Sequence, residues 1–244
     1  MLDTSIDFTG QTVCIIGGSS GIGNASAQAF RGCGAEVHVT GTRASEADYD
    51  DGSDLKGLTY HQLDAGDDTA IIALRQKFTK LDILVCSQGM VMYKRAEFAP
   101  ENFAKVVQVN LNSLMTCAGQ FYDLLKEAKG SLVIISSTAA FHATVGNPGY
   151  NASKAGAAGL TRTLGKAWAP DGIRVNGIAP GLIATKMTKV TTDNPKRREA
   201  TIQSIPLGRI GDPDDMAGLV LFLASPLADY IVGQTIIADG GLLL

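Results

Sequence analysis

The chain has 244 residues, 45% hydrophobic and 18% charged, with a formal net charge of −3. These proportions suit a globular protein that buries a core without disulfides or metals, and the slight acidic balance argues against a nucleic-acid or anionic-membrane surface. Four scattered cysteines, Cys14, Cys33, Cys86 and Cys117, form no CxxC pair and stand at no zinc spacing, so free thiols and no metal site are expected.

In chain order, the N-terminus lacks a basic segment followed by an apolar one, so no secretion signal is expected and the protein reads as soluble and cytoplasmic. Short apolar runs at 12–16, 36–40, 58–62, 83–86, 132–135, 174–179 and 235–238 are expected strands. Most are continuously apolar, the pattern of strands covered on both faces. Helical patterns lie between them at 24–32, 67–78, 101–126, 150–169 and 212–224, the last opened by Asp212 and Pro213. Repeated β-α-β order predicts a parallel, doubly wound sheet in one domain. The polar stretch 43–57 is too short for a full crossover helix. Residues 182–210 form a long insertion, expected to be a lid over a site. The uncharged run 130–153 is no membrane span, because Gly146, Asn147, Pro148 and Gly149 break any helix there.

The first strand runs into Gly17-Gly18-Ser19-Ser20-Gly21-Ile22-Gly23 and then a helix. Glycines let backbone amides approach a pyrophosphate, and a helix N-terminus presents unpaired N–H groups to its oxygens. At the end of the second strand an acidic residue would select an unphosphorylated ribose. Thr40-Gly41-Thr42-Arg43 stands there instead, so Thr42, Arg43 and Ser19 predict NADP(H), with NAD(H) as the alternative. Asp64, closing the third strand, is placed to meet the adenine amino group or to cap the next helix. Tyr150 and Lys154, four residues apart, share one helical face. An ammonium there favours phenolate and suits the pair to proton transfer. Ser136 and Ser137 both end the fifth strand, at the sheet edge where ligands of doubly wound proteins bind.

On Gly17-x3-Gly21-x-Gly23, Asn110 in Val109-Asn110-Leu111, Ser137, Tyr150-x3-Lys154 and Pro180-Gly181-x3-Thr185, the chain resembles the short-chain dehydrogenase/reductase family over nearly its whole length. The resemblance implies a single-domain Rossmann-type fold in three α/β/α layers, with residues 10–90 mainly binding dinucleotide and 182–210 covering substrate. It implies a homotetramer that interconverts a carbonyl and an alcohol with a nicotinamide cofactor. By its spacing Ser137, not Ser136, steadies the substrate oxygen, and Tyr150 is the general acid or base. Lys154 holds the nicotinamide ribose and acidifies the tyrosine. Asn110 interrupts its helix and holds a water beside Lys154. Gly89, Pro180, Gly181, Ile183 and Thr185 would complete the cofactor site, the last two at the carboxamide. Met90, Met92, Phe141, His142, Leu182 and Met187 would line a largely apolar substrate pocket, although His142 reads equally as a surface residue. Two positions depart from the family pattern: Cys86-Ser87-Gln88-Gly89 replaces Asn-Asn-Ala-Gly, and Ile16 replaces a Thr. Within the family, 3-oxoacyl-acyl carrier protein reductase is one alternative, weakened by Asp171 where that branch carries a basic residue. An NAD-dependent alcohol dehydrogenase and a non-catalytic dinucleotide-binding protein are the others.

Overall fold

The computed structural model describes residues 6–49 and 52–244. The first five residues, read for a secretion signal, and positions 50 and 51 of the polar stretch lie outside the described residues. Seven parallel strands form one sheet in the order β3-β2-β1-β4-β5-β6-β7. They are β1 Thr12–Ile16, β2 Glu36–Gly41, β3 Thr59–Gln62, β4 Ile83–Cys86, β5 Ser131–Ile135, β6 Arg174–Pro180 and β7 Thr235–Ala238. Every expected strand is present, and no end moves by more than one residue.

Continuous apolar runs become strands here because alternate side chains serve opposite layers. In β1, β4 and β5, Cys14, Ile16, Leu84, Cys86, Leu132 and Ile134 face a core completed by α2 (Asp68–Arg75), α4 (Ser113–Ala128) and α5 (Pro148–Trp168). Their neighbours Val13, Ile15, Ile83, Val85, Val133 and Ile135 face a second core closed by α1 (Gly21–Gly32) and α8 (Pro213–Ala224). Each fully buried side chain of this size contributes about 1.5–3 kcal/mol. The two cores fix the three layers.

The helix expected over 101–126 is divided. α3 (Pro100–Val107) passes into one wide π-turn at Gln108–Asn112, and α4 follows. The turn carries Asn110 into the interior, fully buried. Among the described residues between β2 and β3, the only helical turn is Glu46–Asp48. Asn24 of α1 holds the loop beyond it: Nδ2 donates to the Asp54 carbonyl at 2.7 Å, and Oδ1 accepts from the Asp54 amide at 2.9 Å. The 182–210 insertion contains a turn at Lys186–Thr188, α6 (Lys189–Thr192) and α7 (Pro195–Ser204), and α7 has no buried residue.

The strand order reverses between β1 and β4. Chains leaving the carboxyl ends of these two strands diverge to opposite halves of the sheet, which opens a crevice at that edge.

Candidate active site

A cleft of about 440 Å³ occupies this crevice. Gly17, Ser19, Ser20, Gly21 and Ile22 line one end; Ser137, Tyr150 and Lys154 line the other. Its floor at the β1 end leaves no room for side chains. A Cβ at Gly17 would stand 2.8 Å from the Gln88 backbone nitrogen, at a φ of +78°. One at Gly23 would meet the Gly17 carbonyl oxygen, so Gly23 packs beneath the turn and does not line the cleft. Ser20 caps α1 by position, yet its hydroxyl makes no capping hydrogen bond. The first amides of α1 thus keep their donors for another acceptor. The residues present fit a dinucleotide pyrophosphate.

Both departures from the family pattern find local answers. The Gly17 amide donates to Thr40 Oγ1 at 3.0 Å, so β2 supplies a hydroxyl next to Ile16. Gln88 reaches Ser113 Oγ at 2.9 Å through Nε2, while its Oε1 is buried with no partner. Cys86 points into the core and hydrogen-bonds with Cys117, whose thiol that contact and burial push up.

Thr42 and Asp64 line the cleft; Arg43 does not. Its guanidinium lies over the Tyr49 ring, 4.8 Å from the centroid. Asp64 Oδ1 accepts from the Gly66 amide at 2.8 Å, and the helix that follows is capped by Asp67 instead.

The two serines at the end of β5 separate clearly. Both border the cleft, but Ser136 is buried and donates to the Lys154 carbonyl at 2.8 Å, whereas the Ser137 hydroxyl accepts from the Ala139 amide at 3.1 Å and acts on the Tyr150 phenol. Lys154 is buried, and its Nζ donates to the Ile135 carbonyl at 2.8 Å. Burial lowers this ammonium to about 8. It stands 5.8 Å from the Tyr150 ring centroid. Lys154 is not among the groups that shift the Tyr150 phenol in this arrangement. Burial pushes the phenol up, the neighbouring Ser137 hydroxyl opposes that, and Tyr93 and Glu97 add to it. Desolvation therefore wins, and Tyr150 keeps its proton.

Asn110 clasps the segment after Gly89. Its Oδ1 accepts from the Met90 amide at 2.7 Å, and Nδ2 donates to the Met90 carbonyl at 2.9 Å and to Ser153 Oγ at 3.2 Å. A methyl on Gly89 would lie 3.6 Å from Lys154 Nζ and 3.7 Å from Asn110 Oδ1, so both groups border one small space. At the far wall, Pro180, Gly181, Ile183 and Thr185 line the cleft.

Of the expected substrate residues, Met90 and Met187 line the cleft; Met92, Phe141, His142 and Leu182 do not. Phe141 and His142 are exposed, and Leu182 borders a separate hollow with Arg209 and Asp215. Sequence reasoning missed Glu97. It is 1% exposed, with Oε1 accepting from the Met92 amide at 2.9 Å and Oε2 from the Tyr150 amide at 2.8 Å. Asn147, the residue before α5, makes no side-chain cap. Glu97 caps that helix from another part of the chain, at the tyrosine itself.

Residues 16–243 match a family model described as enoyl-(acyl carrier protein) reductase. The chain belongs to the short-chain dehydrogenase/reductase family. This dehydrogenase/reductase is 37% identical to a 2-dehydro-3-deoxy-D-gluconate 5-dehydrogenase of Bacillus subtilis, over 98% of the chain and 97% of that protein. It is also 37% identical to the 3-oxoacyl-[acyl-carrier-protein] reductase FabG of Rickettsia conorii, over 98% and 99%. Among solved structures, the Pseudomonas aeruginosa RhlG/NADP active-site complex superposes with a TM-score of 0.89 at 29% identity, covering 100% of both chains. Among the described residues no group of three or more His, Cys, Asp or Glu could hold a metal, and no helix is long and apolar enough to cross a membrane.

Proposed function

We propose that this member of the family is an NADP(H)-dependent oxidoreductase that interconverts a ketone and a secondary alcohol, with Tyr150 moving the proton. The observation that carries this reading is that Ser137, Tyr150 and buried Lys154 line one end of a single cleft whose other end is the glycine turn. The cofactor, when bound, supplies or accepts the hydride.

Gly17, Ser19, Ser20, Gly21 and Ile22 hold its pyrophosphate, and Asp64 meets the adenine. Gly89, Pro180, Gly181, Ile183 and Thr185 hold the nicotinamide half. The choice of NADP(H) rests on Thr42 and Arg43 following Gly41, where no carboxylate stands to repel a 2′-phosphate. The NADP complex of the Pseudomonas relative supports it. Ser137 and Tyr150 donate to the substrate oxygen. As the carbonyl carbon gains its hydride, the O–H bond of Tyr150 breaks, the proton passes to that oxygen, and a phenolate remains. The Lys154 ammonium offsets this charge, which in a water-poor site is worth far more than in solution. In oxidation the phenolate takes the alcohol proton back. Asn110 positions the chain at Met90 and flanks the space where a water would lead protons from Lys154 outward. The 182–210 insertion, which brings Met187 to the cleft, covers the substrate.

A carrier-linked 3-oxoacyl substrate is the second reading, favoured by the Rickettsia relative. Against it, Asp171 holds Lys126 at 2.8 Å and Tyr122 at 2.7 Å, which neutralises a cation on the surface a carrier would use. NADPH oxidation with free ketones and with a 3-oxoacyl carrier thioester separates the two. Faster turnover of free ketones is expected; faster turnover of the thioester would reassign the substrate, and no turnover with any carbonyl would remove the proposal.

A further inference from the structure

β2 ends at Gly41, the position from which a carboxylate clasps the ribose hydroxyls in sites that reject a 2′-phosphate. A side chain there would have to displace Tyr49 and Ser19. A Cβ on Gly41 would run into the phenol oxygen of Tyr49 and stand 2.5 Å from Ser19 Oγ. Tyr49 comes from the polar stretch that replaces a crossover helix, immediately after the Glu46–Asp48 turn. Its ring stands edge-on to Tyr60 of β3, with centroids 5.7 Å apart, and lies beneath the Arg43 guanidinium. The phenol oxygen accepts from the Arg43 amide at 3.3 Å and lies 3.3 Å from the Tyr60 hydroxyl, with the Ser19 hydroxyl on the same side of Gly41. Tyr60 in turn donates to the Arg43 carbonyl at 2.5 Å. Burial alone would raise the Tyr49 phenol, yet hydrogen bonds with Ser19, Tyr60 and the Arg43 amide, together with the Arg43 charge, bring it below its ordinary value.

We propose that Tyr49 selects the cofactor: its phenol fills the volume that a diol-binding carboxylate would need, and with Ser19, Thr42 and a ring-supported Arg43 it receives the ribose 2′-phosphate. This rests on the NADP(H) reading above. Two physical effects combine. The hydroxyl excludes a side chain at Gly41 and offers the phosphate a donor, while the ring holds a flexible guanidinium in one place and reduces the entropy lost on binding. A tyrosine that merely packed against its neighbours would affect stability and leave the choice of cofactor unchanged.

The test uses the full chain, with dissociation constants for NADPH, NADH and 2′,5′-ADP, a ligand that carries the phosphate without a nicotinamide. Tyr49→Phe keeps the ring and removes the hydroxyl. It should weaken NADPH and 2′,5′-ADP about tenfold while NADH changes by less than about twofold. Tyr49→Leu removes the platform too and should weaken the phosphorylated ligands further, toward about a hundredfold. The double variant Gly41→Asp with Tyr49→Leu vacates the space, inserts a carboxylate and should prefer NADH. Equal effects on all ligands, or none in Tyr49→Phe, would overturn the role of Tyr49. A wild-type chain that binds NADH more tightly than NADPH would instead overturn the cofactor reading, so the two failures are distinct.

Discussion

Lys154 carries its charge below pH 8 or so, because burial lowers its ammonium to about 8. The cation proposed to offset the Tyr150 phenolate is thus present at neutral pH and lost as pH rises through that value. For ketone reduction, kcat/KM should be level near neutrality and fall on the alkaline side with an apparent pKa near 8. A profile that stays level to about pH 10, the ordinary range of both groups, would contradict this role. Glu97 works one step further back. Each of its oxygens accepts from a backbone amide, so Glu97→Gln must turn one N–H against the amide of Met92 or Tyr150. A buried donor left facing a donor costs about 1–3 kcal/mol. The variant should melt lower and lose about tenfold in kcat, as expected when a reacting group is misplaced, while NADPH affinity holds. Thermal melting, kcat and cofactor binding measured together check it, because a purely structural role would lower the melting point and leave kcat unchanged.

At the scale of elements, legibility followed how local each cause was. The strands were readable because burial on both faces leaves an unbroken apolar run, and the glycine turn because only glycine tolerates such close backbone approach. Tyr150 and Lys154 were readable because helical spacing brings them to one face. The relation between them was not, since it depends on the Ile135 carbonyl and on burial that only the assembled sheet supplies. Glu97 left no trace in the sequence pattern: its partners lie 5 and 53 positions away. Four of the six expected substrate residues, Met92, Phe141, His142 and Leu182, lie away from the cleft for the same reason. Phe141 and His142 sit on a turn that points outward, and no periodicity reports a turn's direction. Edge strand β3 leads to a prediction of its own. His61 lies 3.0 Å from His38 of β2, and burial, with the charges of His38 and Lys77, lowers it from 6.5 to about 4. Between those values the unfolded chain binds a proton that the folded chain refuses. Stability should therefore fall as pH drops from 6.5 to about 4 and gain no further penalty from His61 below that. Partial exposure reduces the effect to about 1–2 kcal/mol. In denaturant titrations across that range the wild type should lose stability relative to His61→Gln as pH falls; parallel curves would contradict the assignment.

For the whole molecule, the switch in strand order between β1 and β4 explains why residues as distant as Gly17 and Lys154 share one cleft. Apolar side chains left outside the two cores point to how chains assemble. Phe103 and Met115 are exposed on α3 and α4, and Ile237 and Leu244 on and beyond β7. We expect these two faces to pair in a homotetramer, as the family resemblance implies. Light scattering should give about four times the 25.5 kDa of one chain; a monomer would refute it. The account as a whole depends on one phenol delivering a proton beside a bound dinucleotide. The most direct measurement is NADPH affinity together with the single-turnover rate of ketone reduction in Tyr150→Phe. Retained affinity with a rate lowered about 10²–10⁴-fold is the predicted result. An unchanged rate would contradict it.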